Sequence, residues 1–214
     1  MPNQILTYRN VSRETFQKID ELFDQFHSVL EAYLLRLLWW NKSVNLVSRN
    51  VTPELLREHI RHSLFPALLT EFTQSSVILD AGSGGGLPGI PLALCFSEKK
   101  IILNDLSSKK TVTLSHLKRE LKITNTTIVN YPVSEYPIRN PEVDCIVSKH
   151  AFKLPGLLND INGGSWKNVI MLKGDNFSDE LFNIPYPVSV ECFELGATDH
   201  PFYQGKVMLN IHRI

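Results

Sequence analysis

A glycine-rich segment carries the clearest chemical signal in this chain. An apolar run over residues 77–79 predicts a buried strand, and Asp80 ends it. Gly82, Gly84 and Gly86 follow at alternate positions, and they let the backbone turn sharply and approach a ligand closely. A helix predicted immediately afterwards would offer free N–H groups to polar atoms. The segment therefore predicts a binding site for a nucleotide-type cofactor.

The sequence of the loop distinguishes between cofactors. A phosphate-binding loop of the NTPase type ends in Gly-Lys-Ser/Thr, whereas Leu87 follows Gly86 here. A dinucleotide fingerprint, G-x-G-x-x-G, can be matched from Gly84 to Gly89, which leaves NAD as an alternative. The pattern D-x-G-x-G-x-G begins at Asp80, and its carboxylate suits a cation but would repel a pyrophosphate. We therefore favour S-adenosylmethionine (SAM), which carries a cationic sulfonium and an amino group but no phosphate.

A second acidic residue supports this interpretation. Asp105 ends the next predicted strand, at 100–105, and lies 23 residues after Gly82. In nucleotide-binding folds an acid about 20 residues beyond the loop binds the ribose hydroxyls. Asp105 can also begin the turn into the next helix, with Ser107 as the N-cap residue, and the two roles are compatible.

Composition limits the class of protein. The chain has 214 residues, of which 43% are hydrophobic, enough for one α/β domain with an appendage. Three widely spaced cysteines within apolar runs predict buried thiols in a reducing cytosol rather than disulfides or a metal site. No apolar run approaches membrane-spanning length and the N-terminus lacks a signal-peptide pattern, so we expect a cytoplasmic protein without a membrane partner.

The charge distribution is uneven. The formal net charge is zero, which argues against wholesale electrostatic binding of nucleic acid. Residues 99–122 nevertheless carry seven basic side chains against the two acids Asp105 and Glu120. This basic segment predicts either a docking face or a solvated helix surface. Its basic members are Lys99, Lys100, Lys109, Lys110, Lys118, Arg119 and Lys122.

Hydrophobic periodicity predicts the elements that precede the glycine-rich segment. Residues 13–41 should form one long helix with a wide aromatic stripe. Such a stripe is more typical of packing on its own domain than of a dimeric coiled coil, so we expect a monomer. A second helix is predicted at 52–70, capped by Thr52. These helices make an N-terminal helical cap over residues 1–75, ahead of a cofactor-binding core over residues 76–214.

The core alternates between strands and helices, which predicts an α/β fold with a parallel sheet covered on both faces. The last two strands lack an intervening helix and predict an antiparallel hairpin at one edge of the sheet. Ligands of such sheets bind beyond the carboxyl ends of the strands, so the glycine loop, Asp105, residues 148–150 and residues 173–174 should converge. The strands are predicted at 77–80, 100–105, 126–130, 143–148, 167–172, 188–194 and 206–212, and the helices at 88–97, 108–122, 152–161 and 177–183.

Several of these segments resemble one known family, the RsmG (GidB) methyltransferases. The loop over residues 79–92 is nearly identical to theirs, including the specific G-x-P-G-I-P ending. The resemblance extends over about residues 30–212. The shorter matches are residues 41–48 with the family's W-N-x-x-x-N-L-x-S segment, 59–64 with H-x-x-D-S-L, Asp105 and Lys109–Lys110 with D-x-x-x-K-K, 148–150 with S-R-A, and 172–174 with L-K-G.

The resemblance implies a Rossmann-like, SAM-dependent methyltransferase in the cytosol that methylates a guanine at N7 in a decoding-region loop of 16S ribosomal RNA. Its partner would be 16S rRNA or the small ribosomal subunit, and no metal is expected. By position, the resemblance implies a cofactor site formed by Asp80, Gly82, Gly84, Gly86, Leu87, Asp105, Val133, Ser134 and Lys149. The candidates for orienting the target base or holding its phosphates, and hence for catalysis, are Lys149, His150 and Lys173.

Four positions depart from the family pattern, which marks a divergent member. Lys149 replaces an arginine, His150 a small residue, Ser134 a glutamate and His62 an aspartate. Because lysine lacks the planar fork of arginine, two alternatives stay open: a SAM-dependent methyltransferase of small molecules, and a SAM-binding protein that has lost catalysis. His59 and His62 lie three residues apart on a helix, but no third ligand is placed to complete a metal site.

Overall fold

The computed structural model describes residues 5–174, 176–196 and 200–214, which form an eight-stranded sheet with helices packed on it. The strands are β1 (Ile5–Asn10), β2 (Val77–Ala81), β3 (Lys100–Asn104), β4 (Thr126–Val129), β5 (Cys145–Lys149), β6 (Asn168–Gly174), β7 (Val188–Glu194) and β8 (Lys206–Arg213). The helices are α1 (Arg13–Gln25), α2 (His27–Asn41), α3 (Pro53–His62), α4 (Thr70–Gln74), α5 (Gly89–Cys95), α6 (Ser108–Glu120), α7 (Tyr136–Arg139) and α8 (Leu154–Asp160). Short 3-10 helices lie at Phe65–Leu68, Val133–Glu135, Ser178–Asn183 and Pro201–Tyr203.

The strand order is β1-β7-β8-β6-β5-β2-β3-β4. Strands β2 to β6 run parallel to one another, and β8 lies antiparallel to both β6 and β7. Because β5 lies beside β2 although β3 and β4 intervene in the chain, the strand order reverses next to β2. In open α/β sheets a ligand binds at such a switch point, beyond the carboxyl ends of the strands. The predicted α/β fold and the antiparallel strand pair near the C-terminus are confirmed.

The N-terminal strand was not predicted. β1 pairs in parallel with β7, so the hairpin of β7 and β8 does not form the edge of the sheet, contrary to the prediction. β1 also lies within the segment that was predicted as a helical cap. Five of its six residues are exposed, so its sequence lacks the alternation that identifies a half-buried strand.

The N-terminal helices differ from the prediction in their lengths. The single helix predicted over 13–41 is two helices that meet at Phe26, whose backbone leaves the helical region with φ −107° and ψ 16°. Both helices bury apolar side chains in the same core, which the bend between them permits. The apolar stripe of residues 13–41 is therefore continuous in sequence, but its residues are divided between two helices with different axes.

The third helix begins as predicted but ends early. The Thr52 side chain accepts a hydrogen bond from an N–H of the first turn at 3.2 Å. α3 ends at His62, short of the predicted residue 70. Pro66 explains this ending, because a continuing α-helix would need an N–H of residue 66 to donate to the His62 carbonyl, and proline has none. The helix predicted at 177–183 is a 3-10 helix, Ser178–Asn183, and not an α-helix.

Two apolar cores lie on opposite faces of the sheet. Successive residues of β2 alternate between them, with Ile78 in one core and Leu79 in the other. The N-terminal helices contribute to the first core and α8 to the second. Because both faces are covered, the central strand β5 is buried at every position. This packing fixes the strand ends on which the candidate site is built.

Candidate active site

The loop after β2 has the backbone conformation that its glycines predict. Gly82, Gly84 and Gly86 have φ values of +73°, +58° and +101°, in the left-handed region that favours glycine. A Cβ atom at Gly82 would lie 2.5 Å from the Ala151 Cβ, and one at Gly86 would lie 2.5 Å from the Ile90 Cδ1. Glycine is therefore required at Gly82 and Gly86, both for the turn and for the close packing of the loop.

Asp80 is completely buried beneath this loop. Its Oδ2 accepts a hydrogen bond from the Gly89 N–H at 2.9 Å, at the start of α5. Its Oδ1 has no hydrogen-bond partner among the described residues. Burial raises the pKa of this carboxyl to about 7. A buried carboxyl group with an unpaired oxygen is a group that a cationic ligand would stabilise.

Asp105 holds the loop from the end of the neighbouring strand. Its Oδ2 accepts a hydrogen bond from the Gly84 N–H at 2.9 Å, and its Oδ1 accepts one from the Ser107 N–H at 2.8 Å. The second contact begins the turn into α6, for which Ser107 is the N-cap residue. Each carboxylate oxygen has a second lone pair, so these contacts leave Asp105 able to accept hydrogen bonds from ribose hydroxyls.

The N-terminal helices pack directly on the glycine loop. The buried Tyr33 hydroxyl of α2 donates a hydrogen bond to the Gly85 carbonyl at 2.9 Å. At the end of α2, the Asn41 Oδ1 accepts hydrogen bonds from the N–H groups of Leu46 and Val47 at 2.9 and 3.0 Å. These contacts fold the segment between α2 and α3 over the loop, so the cap forms one wall of the site.

A cavity of about 300 Å³ opens between the glycine loop and the cap. This volume lies at the lower end of the range for small-molecule sites. From the cap it is lined by Leu46, Val47, Ser48, Val51, Leu55 and His59, and from the core by the glycine loop, Leu87, Lys149 and His150. Five of the predicted site residues therefore converge here, namely Gly82, Gly84, Leu87, Lys149 and His150. The apolar cap residues carry no chemical signal in sequence and were missed as site residues.

Lys149 places a nearly buried amine at the wall of the cavity. It ends β5, is only 9% exposed, and its Nζ lies 3.0 Å from the His59 Nδ1. Burial and the nearby positive charge of Lys206, opposed by the negative charge of Asp80, together lower the pKa of Lys149 to about 7. Burial and Lys149 together lower the pKa of His59 to about 3, so the imidazole is uncharged at neutral pH.

Two further histidines surround this pair. His150 follows Lys149 in a left-handed conformation with φ +54°, and it lines the cavity with an exposed side chain. His62 lies behind it and is completely buried, with a ring-centroid distance of 6.1 Å to His150. Neither ring nitrogen of His62 has a hydrogen-bond partner among the described residues. Burial lowers the pKa of His62 well below its ordinary value, so this ring is also uncharged.

Six predicted site residues do not line the cavity. Asp80, Gly86 and Asp105 belong to the glycine loop or accept hydrogen bonds from it and from the start of α5, and the other three, Lys173, Val133 and Ser134, lie elsewhere. The Lys173 Nζ forms an ion pair with Glu180, at 2.9 and 2.8 Å from its two carboxylate oxygens, and donates to the Phe152 carbonyl at 3.1 Å. Its amine is therefore engaged in joining β6 to the segments that follow β5 and β6, which is a structural contact. Val133 is buried, and Ser134 is exposed in the 3-10 helix after β4.

The basic segment predicted at 99–122 is not one surface. Lys99 is 5% exposed and donates to the carbonyls of Thr73 and Ser75, and Lys100 forms an ion pair with Glu142 at 2.6 Å. The helix α6, which carries Lys109, Lys110, Lys118 and Arg119 and is followed by Lys122, runs away from the carboxyl edge of the sheet, because it connects two parallel strands. Its first turn therefore lies near the cavity edge and its last turn lies near the opposite edge.

The described residues 5–174, 176–196 and 200–214 also show what the protein offers to a membrane or a metal ion. No helix there combines the length and apolar character that a membrane span requires. One group of potential metal ligands, Glu71, Glu191 and His212, has its ligand atoms within 4.8 Å of one another. This group does not line the cavity, and His59 and His62 do not belong to it.

The reversed strand order, the acid at the end of β2 and the glycine loop define a Rossmann-like methyltransferase fold. Solved structures share this fold at low sequence identity. The methyltransferase domain of bacterial CtHen1-C has a TM-score of 0.53 and 16% identity, covering 73% of this chain and 98% of that chain. A chain of the fibrillarin/Nop5p complex has a TM-score of 0.51 and 18% identity, covering 65% of this chain and 73% of that chain.

Sequence relatives identify the family. The sequence model of the GidB family, described as rRNA small subunit methyltransferase G, matches residues 26–193. Ribosomal RNA small subunit methyltransferase G of Chlorobium limicola is 30% identical, covering 96% of this chain and 95% of the relative. Its counterpart in Pseudomonas aeruginosa is 35% identical, covering 86% of this chain and 85% of the relative. This chain belongs to that family, which confirms the predicted membership and the predicted enzyme class, a methyltransferase.

Proposed function

We propose that this protein transfers a methyl group from SAM to N7 of a guanine in a decoding-region loop of 16S rRNA, acting on the small ribosomal subunit in the cytoplasm. The observation that carries the proposal is the extent of the family match. It spans residues 26–193, so it includes α2 and α3 of the cap as well as the glycine loop. A methyltransferase of small molecules could share the loop without sharing the cap that walls this cavity.

The residues around the loop fit SAM as the cofactor. When bound, SAM supplies an electrophilic methyl group on a cationic sulfonium. The unpaired Oδ1 of Asp80 would be stabilised by a cationic ligand, and Asp105 has lone pairs for ribose hydroxyls. The glycine loop and Leu87 line the cavity beside them. We assign cofactor binding to these residues, and we extend it to Val133 and Ser134 by family resemblance alone.

The chemistry of the target atom means that the proposed reaction can proceed without a general base. Guanine N7 is an acceptor with a lone pair and no proton, so methylation there requires no general base. The protein has to align the base and exclude water, and the target must leave its stack to enter a pocket. The cavity walls contributed by Leu46, Val51 and Leu55 are suited to excluding water.

Lys149 is our candidate for orienting the guanine. The edge that carries N7 also carries the acceptor O6, so an amine that donates to O6 leaves N7 free. Because the pKa of Lys149 is lowered to about 7, a large fraction of the amine is neutral at physiological pH. A neutral donor avoids repulsion of the base, which becomes cationic when N7 is methylated. His150, exposed beside it, is our candidate for contacting the RNA backbone. We propose no such contact for Lys173, because its amine is ion-paired with Glu180.

Deletion of the encoding gene tests the proposed substrate. One 7-methylguanosine should disappear from 16S rRNA, as measured by mass spectrometry of nuclease fragments. A wild-type copy should restore it and Lys149→Ala should not. Lys167→Ala is the matched control, since its amine is highly exposed at the start of β6, at the opposite sheet edge. Unchanged 7-methylguanosine after deletion would contradict the proposal and favour a small-molecule substrate or loss of catalysis.

A further inference from the structure

His59 makes a specific contact with the candidate base-orienting residue. Its Nδ1 lies 3.0 Å from the Lys149 Nζ, across the cavity wall that joins the cap to the core. We infer that His59 is a positioning residue, a neutral acceptor that holds the Lys149 amine in place beside the glycine loop. This inference rests on the proposed function, because Lys149 has its role there.

The imidazole of His59 is itself held in a fixed orientation. It projects from α3, a capped helix whose Leu56 and Ile60 are buried in the core. On the other side its ring packs edge-on against Phe202, with a centroid distance of 4.9 Å and an interplanar angle of 90°. Since helix and aromatic contacts restrict the ring, Nδ1 is presented to Lys149 without a further loss of conformational freedom on binding.

The surroundings of Lys149 explain why a neutral partner matters. Among the described residues, no carboxylate oxygen lies within 4.0 Å of its Nζ. Five titratable groups interact electrostatically with the Lys149 amine. They are Asp80 of β2, Lys206 of β8, His59 and His62 of α3, and the adjacent His150.

The lowered pKa of His59, about 3, keeps its ring neutral over the whole range in which Lys149 titrates. It can therefore accept a hydrogen bond from the amine without adding a negative charge. A carboxylate in its place would favour the ammonium form of Lys149. The positive charge would then persist in a cavity that we propose to receive a cationic cofactor.

Two nearly matched variants separate positioning from packing. In His59→Asn the side-chain oxygen occupies about the place of Nδ1 and retains an acceptor, whereas His59→Phe retains the ring and its contact with Phe202 but has no acceptor. We expect His59→Phe to lower kcat for methyl transfer by up to about tenfold, the upper end of the effect of losing one hydrogen bond between neutral groups. We expect His59→Asn to stay within about threefold of the wild type, and both variants to bind SAM with unchanged affinity.

A third variant, His59→Asp, gives a readout that a merely structural role would not move. Its carboxylate should raise the pKa of Lys149 by at least about one unit. Competitive labelling with acetic anhydride over a pH series, followed by peptide mass spectrometry, measures this pKa directly. The pH at which methyl transfer changes should shift in the same direction.

The labelling result does not depend on enzymatic activity. An absence of methyl transfer by the wild type would contradict the proposed function, while labelling would still decide whether His59 controls the Lys149 amine. Equal kcat for His59→Phe and His59→Asn would overturn the inference, whether both are active or both impaired. An unchanged pKa of Lys149 in His59→Asp would overturn it as well.

Discussion

At the scale of single residues, the charge of Lys149 should control how well the cavity accepts a cation. The side chain is nearly buried and its pKa is lowered to about 7. We predict that SAM affinity rises as the pH increases through about 7, because Lys149 loses its charge. S-adenosylhomocysteine lacks the sulfonium charge and should respond less, so the affinity ratio of the two ligands should change by up to about tenfold. Isothermal titration calorimetry over a pH series measures this ratio.

Asp80 titrates in the same range and needs its own control. Its pKa is raised to about 7 by burial, and its ionisation would also favour a cation. Lys149→Met keeps the apolar stem without the charge, and Asp80→Asn removes the carboxyl charge. If the pH dependence persists in Lys149→Met and vanishes in Asp80→Asn, then Asp80 and not Lys149 is the group responsible.

At the scale of elements, a hydrogen bond between α2 and the glycine loop should couple the cap to cofactor binding. The buried Tyr33 hydroxyl donates to the Gly85 carbonyl at 2.9 Å. Tyr33→Phe leaves that carbonyl without its donor, which should lower the free energy of unfolding by about 1–3 kcal/mol. Because the carbonyl belongs to the loop, SAM affinity should fall as well. Urea unfolding and calorimetric titration provide the two measurements.

The control for this prediction is Tyr186→Phe. The Tyr186 hydroxyl also donates to a carbonyl, that of Leu158, at 2.8 Å, but on the opposite core and outside the cavity. The Tyr186→Phe variant should have a lower free energy of unfolding but an unchanged affinity for SAM. Equal loss of affinity in both variants would mean that Tyr33 acts only through global stability and not through the loop.

The elements themselves could be predicted to different extents. The buried core strands gave continuous apolar runs, and their alternation with helices specified a parallel sheet. The edge strand β1 gave no such signal because it is mostly exposed. The bend at Phe26 was not predictable either, since the apolar periodicity continues through it and tertiary packing decides where the helix axis turns.

The candidate site shows the same division. The loop residues are contiguous in sequence, so their convergence with Asp105 and Lys149 followed from the strand ends. His59 and the apolar cap residues reach the cavity only through the packing of α3 against the core. Ion-pair partners could not be predicted either, since nothing in the sequence indicated that Lys173 pairs with Glu180.

At the scale of the whole molecule, the position of a basic residue relative to the cavity should matter more than net charge. Arg49 and Lys109 are exposed, Arg49 in the segment that walls the cavity and Lys109 in the first turn of α6. We predict that reversing both to glutamate weakens RNA methylation and lowers its salt dependence, because phosphate contacts are lost. SAM affinity should not change. Filter binding at several salt concentrations and single-turnover methylation provide the measurements.

The matched control reverses Lys122 and Lys167, which lie after the end of α6 and at the start of β6, at the other edge of the sheet. It changes the net charge by the same amount. Equal impairment by the two double variants would show that overall charge, and not a surface beside the cavity, governs RNA binding.

Methyl transfer to isolated RNA substrates tests the proposed specificity of this protein most directly. Purified protein is incubated with SAM labelled in the methyl group and with either small ribosomal subunits or naked 16S rRNA, after SAM binding has been verified. Nuclease digestion and chromatography then identify the labelled nucleoside. We predict label in 7-methylguanosine from at least one of the two substrates, at a single position. Label in neither substrate, or label in a different nucleoside, would contradict guanine-N7 methylation of 16S rRNA by this protein.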